Sequence, residues 1–335
     1  MPPALKHRLS AVRRRTALCE WLTSAVAPIV AAALRADPSS SSAQRVFTRL
    51  TGHQVEEAVE DAIADGNVRL AMLLSQAGAD GGFRADVEDQ LTIWHTEGVD
   101  QFVDEAYRKC YAVLAGVTDV WKAPRKSAGH VNLVKDLDWK RAFGLALWYG
   151  EGSEGGDGYE RALEQYERSM SQNGAPMPCP WYKEDSTSAS GLKWTPSTSS
   201  SLSTLTASDS FHFDSPDEAD ALFELLRLST AAVPLERAIY PRAFGPSPLD
   251  FRMPWHLYVL LSRAMRLKDF SDRQCAFGSM ELDQDVDGHS VTAGNVTCAY
   301  ATQLEALGQV QEAAFVLLHL EGSDGYDFRQ LSVSP

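Results

Sequence analysis

The sequence predicts an all-α protein built as an irregular stack of helices, and three observations predict it. Apolar residues recur at helical spacing along much of the chain, so that they share one face of a 3.6-residue helix. Helix-start signals precede several of these runs. Two segments read as a helix, a glycine turn and a second helix, a unit that cannot bury both faces alone and therefore stacks on neighbours. No series of alternating strands with hairpin turns competes with this reading.

Taken in order, residues 1–37 read as a basic helical arm and residues 38–45, opening on "PSSSS", as a linker. The remainder, 46–335, reads as one helical domain. "TGHQ" (51–54) has the spacing of a capping box ahead of a periodic run. The two helix pairs are "VEEAVEDAIADGNVRLAMLLSQAG" (55–78) and "AYATQLEALGQVQEAAFVLLHLEG" (299–322). Gly66 and Gly308 permit a left-handed turn after the first helix of each pair, and Ala71 and Ala313 let the second helix approach closely. Phe102, Ala106, Cys110, Val113 and Leu114 share a face. So do Trp139, Ala142, Phe143, Ala146 and Leu147, and again Ala219, Leu222, Phe223 and Leu226. "SPDE" (215–218) sets Ser at the N-cap, Pro at N1 and Glu at N3. No regular short period links the pairs, which sets aside tetratricopeptide and ankyrin arrays.

Two stretches break the pattern. Residues 185–210 hold fifteen Ser/Thr among 26, too polar to offset the entropy of ordering. The segment 183–214 therefore reads as a disordered insertion and a place for phosphorylation. Residues 271–294 read as a shorter acidic loop.

The 335 residues carry a formal net charge of −14, unevenly spread. Residues 1–50 hold eight Lys/Arg and two Asp/Glu, so the body is strongly acidic, which argues against a wide nucleic-acid surface. The basic stretch "KHRLSAVRRR" reads first as a solvated helix face, with a nuclear-localisation or anionic-surface patch as the alternative. Five dispersed cysteines fit free thiols rather than a disulfide framework or a zinc knuckle. No run is read as a membrane span and no signal peptide is seen, so a soluble intracellular protein is expected.

The chemical motifs lack their context. "GEGSEG" (150–155) matches a dinucleotide loop letter for letter, but such a loop follows a strand. Here the preceding "DWKRAFGLALWY" is helical, and Glu151 and Glu154 would repel a phosphate. "DQDVDG" (283–288) opens like a calcium loop but has Gly294 where the bidentate Glu belongs. His95 and His256 each adjoin a tryptophan and read as packing residues. Trp94, Trp139, Trp148 and Trp255 sit on apolar helix faces. No nucleophile stands at a recognisable spacing from a base. The residues thus predict no catalysis, no cofactor, no metal and no small-molecule ligand.

Eight blocks in order carry a resemblance: "LSAVRRRTALCEWL" (9–22), "VFTRLTGHQVEEAVEDAIADGNVRLAMLLSQAG" (46–78), "LTIWH" (91–95), "YAVLAGVTDVW" (111–121), "LDWKRAFGLALWY" (137–149), "ERALEQYE" (160–167), "PLDFRMPWHLYVLL" (248–261) and "YATQLEALGQVQEAAFVLLHLEG" (300–322). Together they resemble the ninety-six-kilodalton class of scaffold nucleoporin. Within them the family-motif positions are Gly66, Ala71, Leu74, Trp94, Trp139, Trp148, Trp255, Gly308 and Ala313.

The resemblance implies an ancestral coatomer element, a helical stack that folds back on itself. It implies an architectural role in the Y-shaped coat of the nuclear pore complex at the nuclear envelope. Nucleocytoplasmic and messenger-RNA transport would be supported without direct nucleic-acid contact. The implied partners are other Y-complex scaffold nucleoporins and a small β-propeller shared with the COPII coat, although nothing upstream of residue 46 reads as the strand segment the family lends that propeller. Family members are often released by self-cleavage at His-Phe-Ser, whereas "FHFDS" (211–215) has Asp214 at the third place. Further helices are expected beyond "LLHLEG". The competing readings are a COPII-like vesicle-coat helical protein, a general helical interaction module, and an enzyme or calcium-binding module.

Overall fold

The computed structural model describes residues 3–78, 80–122, 130–150, 159–183, 220–230, 235–276 and 290–320. The protein is all-α in class. Its chain divides into two compact units, Met1–Met177 and Pro178–Pro335.

In the first unit α1 (Pro3–Ala36) runs for 34 residues, roughly 50 Å at 1.5 Å per residue. A short turn follows, in which the Ser40 hydroxyl donates to Asp37 O at 2.9 Å. The Ser41 side chain then accepts the Gln44 N–H and caps α2 (Ser42–Leu50). α3 (Val55–Ala64) and α4 (Val68–Leu74) form the first predicted pair. Arg49 of α2 forms an ion pair with Asp61 of α3. α5 (Gly81–Thr96) and α6 (Glu105–Leu114) come next. Two short strands follow, β1 (Val120–Trp121) and β2 (Val131–Asn132), paired antiparallel with Val120 opposite Asn132. Two residues are too few to show alternation, so this ladder has no sequence signal. α7 (Trp139–Tyr149) and α8 (Glu160–Gln172) complete the unit.

α7 is its centre. Within it only Lys140 and Arg141 escape burial. α1, α6 and α8 all pack against it. Leu22, Val26 and Val30 of α1 are fully buried, and Arg15 donates to Leu147 O at 2.5 Å. Phe143 meets the edge of Tyr166 with ring centroids 5.8 Å apart. The Tyr149 hydroxyl donates to Leu50 O at 3.2 Å, tying α7 to the end of α2. Gly144 is required by packing: a methyl there would sit 2.3 Å from the Trp148 ring.

The second unit contains α9 (Ala221–Thr230), α10 (Pro241–Phe244) and α11 (Arg252–Tyr258). α11 runs into a π-helical turn, Val259–Ala264. α12 (Ser271–Ala276), α13 (Val291–Ala306) and α14 (Val310–Leu317) follow. Leu235, Tyr258, Phe270, Val296 and Leu304 are among its core residues. Trp255 of α11 lies 5.2 Å from Tyr300 of α13, ring centre to ring centre. Gln303 links the same two helices, accepting the Phe251 N–H at 2.9 Å and donating to Asp250 at 3.1 Å. Arg252, donating to Asp250, holds that carboxyl well below the usual range.

The two glycine turns are built alike. Gly66 has φ +77° and Gly308 φ +78°. Gly66 N–H reaches Ile63 O and Asn67 N–H reaches Ala62 O; Gly308 N–H reaches Glu305 O and Gln309 N–H reaches Leu304 O, all at 2.9 Å. These bonds satisfy the last carbonyls of each first helix.

Several expectations are corrected. Thr51 makes no capping box: its hydroxyl donates to Thr48 O, it closes α2, and the N-cap of α3 is Gln54 without a side-chain bond. Phe102 does not share the face of Ala106 and Cys110. It lies in the 3-10 turn Asp100–Phe102 and is 84% exposed, because α5 ends at Thr96, Gly98 turns the chain with a left-handed φ, and Asp104 starts a new helix by accepting the Ala106 N–H. Leu222 points outward while Ala221, Phe223, Glu224 and Leu228 face inward. The linker read as 38–45 is shorter, since α2 begins at Ser42. The stretch 271–294 opens on α12 and closes on the first turn of α13. Finally, Arg8–Ala36 is a helix long and apolar enough, by length and composition, to cross a membrane.

Two predictions follow from the turns and caps. Around Gly66 and Gly308 there is open space for a methyl group, so replacing either by Ala meets backbone strain alone. Each substitution is expected to cost about 1 kcal/mol in urea denaturation. Gly66→Asn should recover much of that, since Asn tolerates the left-handed region.

Asp272 ties α12 to the start of α13, accepting the Ser290 hydroxyl at 2.7 Å and the Thr292 N–H at 3.0 Å. Burial opposes its charge, but these bonds outweigh burial and hold its pKa below the ordinary 3.8. The stabilisation is therefore present above about pH 4 and lost as pH falls through the folded pKa. Asp272→Asn should destabilise the second unit by about 1 kcal/mol at neutral pH. In pH-resolved melts that gap should narrow under acid; a constant gap would rule out the charged cap.

Candidate interaction surface

The chemistry that a site would need is not assembled among the described residues. α7 precedes the "GEGSEG" pattern and α8 follows it, so the strand that a dinucleotide loop requires is replaced by a helix. Gly150 ends α7, its N–H reaching Ala146 O at 3.2 Å. Residues 151–158 lie outside the described residues. So do "DQDVDG", "SPDE", "FHFDS" and the Ser/Thr-rich stretch after Lys183. Among the described residues no three His, Cys, Asp or Glu are grouped to hold a metal ion.

His53, His95 and the buried thiol serve packing, whereas His256, read as a packing residue, is exposed. His53 lies flat on Trp148, 5.0 Å between ring centres. His95 Nδ1 pairs with Asp100 at 2.9 Å and meets the edge of Trp121. His256 Nδ1 stands 2.6 Å from Arg252 O. Cys110 is fully buried with Sγ 3.7 Å from Ala43 O. Burial pushes its thiol far up, which leaves little reactive thiolate.

A cleft of about 220 Å³ lies where α1 ends against α2, α6 and the turn before α7. It is smaller than the about 300–1,000 Å³ of small-molecule sites. Asp37 and Asp136 share its walls with Lys109, Lys135 and Arg141. Lys109 pairs with Glu105 at 3.2 Å and lies over the Phe47 ring, and Arg141 pairs with Asp138 at 2.5 Å. The cleft's walls carry charge of both signs, with Lys109 and Arg141 already paired to Glu105 and Asp138.

The motif positions singled out in the sequence mostly face inward. Leu74 is fully buried, and Ala71 and Ala313 nearly so. Trp139, Trp148 and Trp255 are buried. Trp94 is half-buried against Tyr111, ring centres 4.7 Å apart. Gly66 and Gly308 make the turns. They belong to two units.

What the molecule does present is apolar surface on its helix pairs. Ile63, Val68 and Met72 lie exposed on the pair α3–α4, at 56–64% of their area. Leu307, Val310, Phe315 and Leu318 are exposed on the pair α13–α14. None of the seven is marked by the sequence as a surface residue. Their only signal was negative: apolar side chains off the buried face of an amphipathic helix.

An all-α protein with apolar surface on its helix pairs agrees with what it is similar to. The chain is 29% identical to the nucleoporin nup189 of Schizosaccharomyces pombe over 92% of its length, covering 15% of that relative. It is 27% identical to the nuclear pore complex protein NUP96 of Arabidopsis thaliana over 97% of its length, covering 26% of that relative. It is 26% identical to the nuclear pore complex protein Nup98-Nup96 of Dictyostelium discoideum over 91% of its length, covering 13% of that relative. The chain thus spans about a quarter or less of each of these curated relatives. The model of the family described as nuclear protein 96 matches residues 44–334, and the chain belongs to that Nup96 family.

Proposed function

We propose that this chain is a structural scaffold element of the nuclear pore complex, at the nuclear envelope, and acts by holding neighbouring proteins rather than by catalysis. The observation that carries the reading is the family match across 44–334. The all-α fold and the exposed apolar pair surfaces support it, because a coat element needs faces on which other helices pack. In this reading residues 46–335 supply the scaffold domain, with the fold-back arrangement of coatomer elements, and residues 1–37 its basic arm. The partners are other scaffold nucleoporins of the Y-shaped coat, and nucleocytoplasmic and messenger-RNA transport depend on the chain indirectly. The small β-propeller of the same coat is a further partner to be read out in the same experiment.

The test is a tagged chain at native abundance, imaged and recovered for mass spectrometry. A nuclear-rim signal with co-purified scaffold nucleoporins is expected. Punctate cytoplasmic signal with vesicle-coat subunits, or no coat subunit at all, would overturn the proposal. The paired substitutions Val68→Glu/Met72→Glu and Val310→Glu/Phe315→Glu alter exposed residues only. At least one pair should cut scaffold recovery about tenfold or more, as loss of an apolar anchor does, with the melting midpoint unchanged.

A further inference from the structure

The first turns of α1 carry a feature that scaffold packing does not use. The residues that α1 buries are Ala11, Leu22, Val26 and Val30. Leu5, Leu9 and Val12 are exposed. At 100° per residue these three fall within about 60° of one another, and Ala11 lies about 100° or more away on the docked side. Arg8 and Arg13 flank the stripe on either side, and both are exposed, as is Arg14. Arg15 is engaged with Leu147 O. The first nineteen residues hold five Lys/Arg and no Asp or Glu, in a chain whose net charge is −14. A basic, apolar-striped helix thus projects from an acidic protein. It also precedes residue 44, where the family match begins.

We propose that the N-terminal turns of α1 lie on an anionic lipid surface, with Leu5, Leu9 and Val12 entering the headgroup–acyl boundary and the flanking Arg8 and Arg13 meeting lipid phosphates. An anionic membrane takes both parts of the stripe, the aliphatic row and its arginine flanks. A nucleic acid would engage the arginines and leave the aliphatic row in water. α1 is long and apolar enough to span, but Leu22, Val26 and Val30 are fully buried in the first unit, so the helix lies along the surface instead of crossing it. The inference is independent of the pore reading, because lipid binding succeeds or fails without any scaffold partner.

The experiment is flotation of the 335-residue chain with phosphatidylcholine vesicles, with and without phosphatidylserine. The chain should float only with phosphatidylserine, and raised salt should release it. The variants Leu5→Ser/Leu9→Ser/Val12→Ser and Arg8→Gln/Arg13→Gln should each weaken flotation at least about tenfold. Their melting midpoints should stay unchanged, since the altered side chains are exposed. No flotation, or flotation that neither variant weakens, overturns the proposal. So does retention through alkaline extraction, which would mean a span. So does binding of single-stranded RNA in preference to vesicles, which would make nucleic acid the partner.

Discussion

Burial of α7 on all sides is the constraint from which the first unit is built. A helix with one wet face needs a single neighbour; this one has none to spare and needs three. Phe143, Leu145 and Leu147 are fully buried, and Trp139, Trp148 and Tyr149 nearly so. Each such side chain contributes about 1.5–3 kcal/mol when removed from water. That gain is realised only if α1, α6 and α8 all close on the helix. It explains why Arg15 reaches across to a carbonyl of α7. Gly144 sits under Trp148 for the same reason, since the indole takes the space a side chain would fill.

What the sequence showed of this follows from how local each signal is. The glycine turns at 66 and 308 are set by backbone sterics within a few residues, and both were legible. The inward face of α7 was legible from spacing. Its burial on every face was written in the unbroken run from Ala142 to Tyr149 but needed neighbours to be recognised. For Thr51 a capping-box spacing, and for Phe102 an apolar period, runs across a helix boundary. In each case a competing local signal won. The Thr51 hydroxyl turned back into α2, and Asp104 capped α6 and left Phe102 on a separate turn.

The interaction surface was the least legible part, for a thermodynamic reason. A buried apolar residue is marked by its period, whereas an exposed one looks like the scattered aliphatics found on any protein surface. Ile63, Val68 and Met72 carry no pattern of their own until the fold gathers them on one helix pair. The acidic body and the basic first helix, by contrast, were plain from composition. The correction there came from burial: α1 has too little buried surface for its apolar content.

The two turns show how such surfaces arise without any dedicated motif. In each pair the glycine takes a left-handed φ, the next residue is the N-cap, and the residue after it opens the second helix. That opening residue is Val68 in one pair and Val310 in the other, 59% and 63% exposed. Three residues on, Ala71 and Ala313 are nearly buried against the first helix. The turn geometry fixes both outcomes together, because a residue three positions from an inward-facing alanine at the first turn has no helix above it to cover it. An aliphatic side chain there gains nothing from its own pair. It gains only when another helix closes over the turn, so the rule that folds each pair also leaves it an apolar edge for a neighbour.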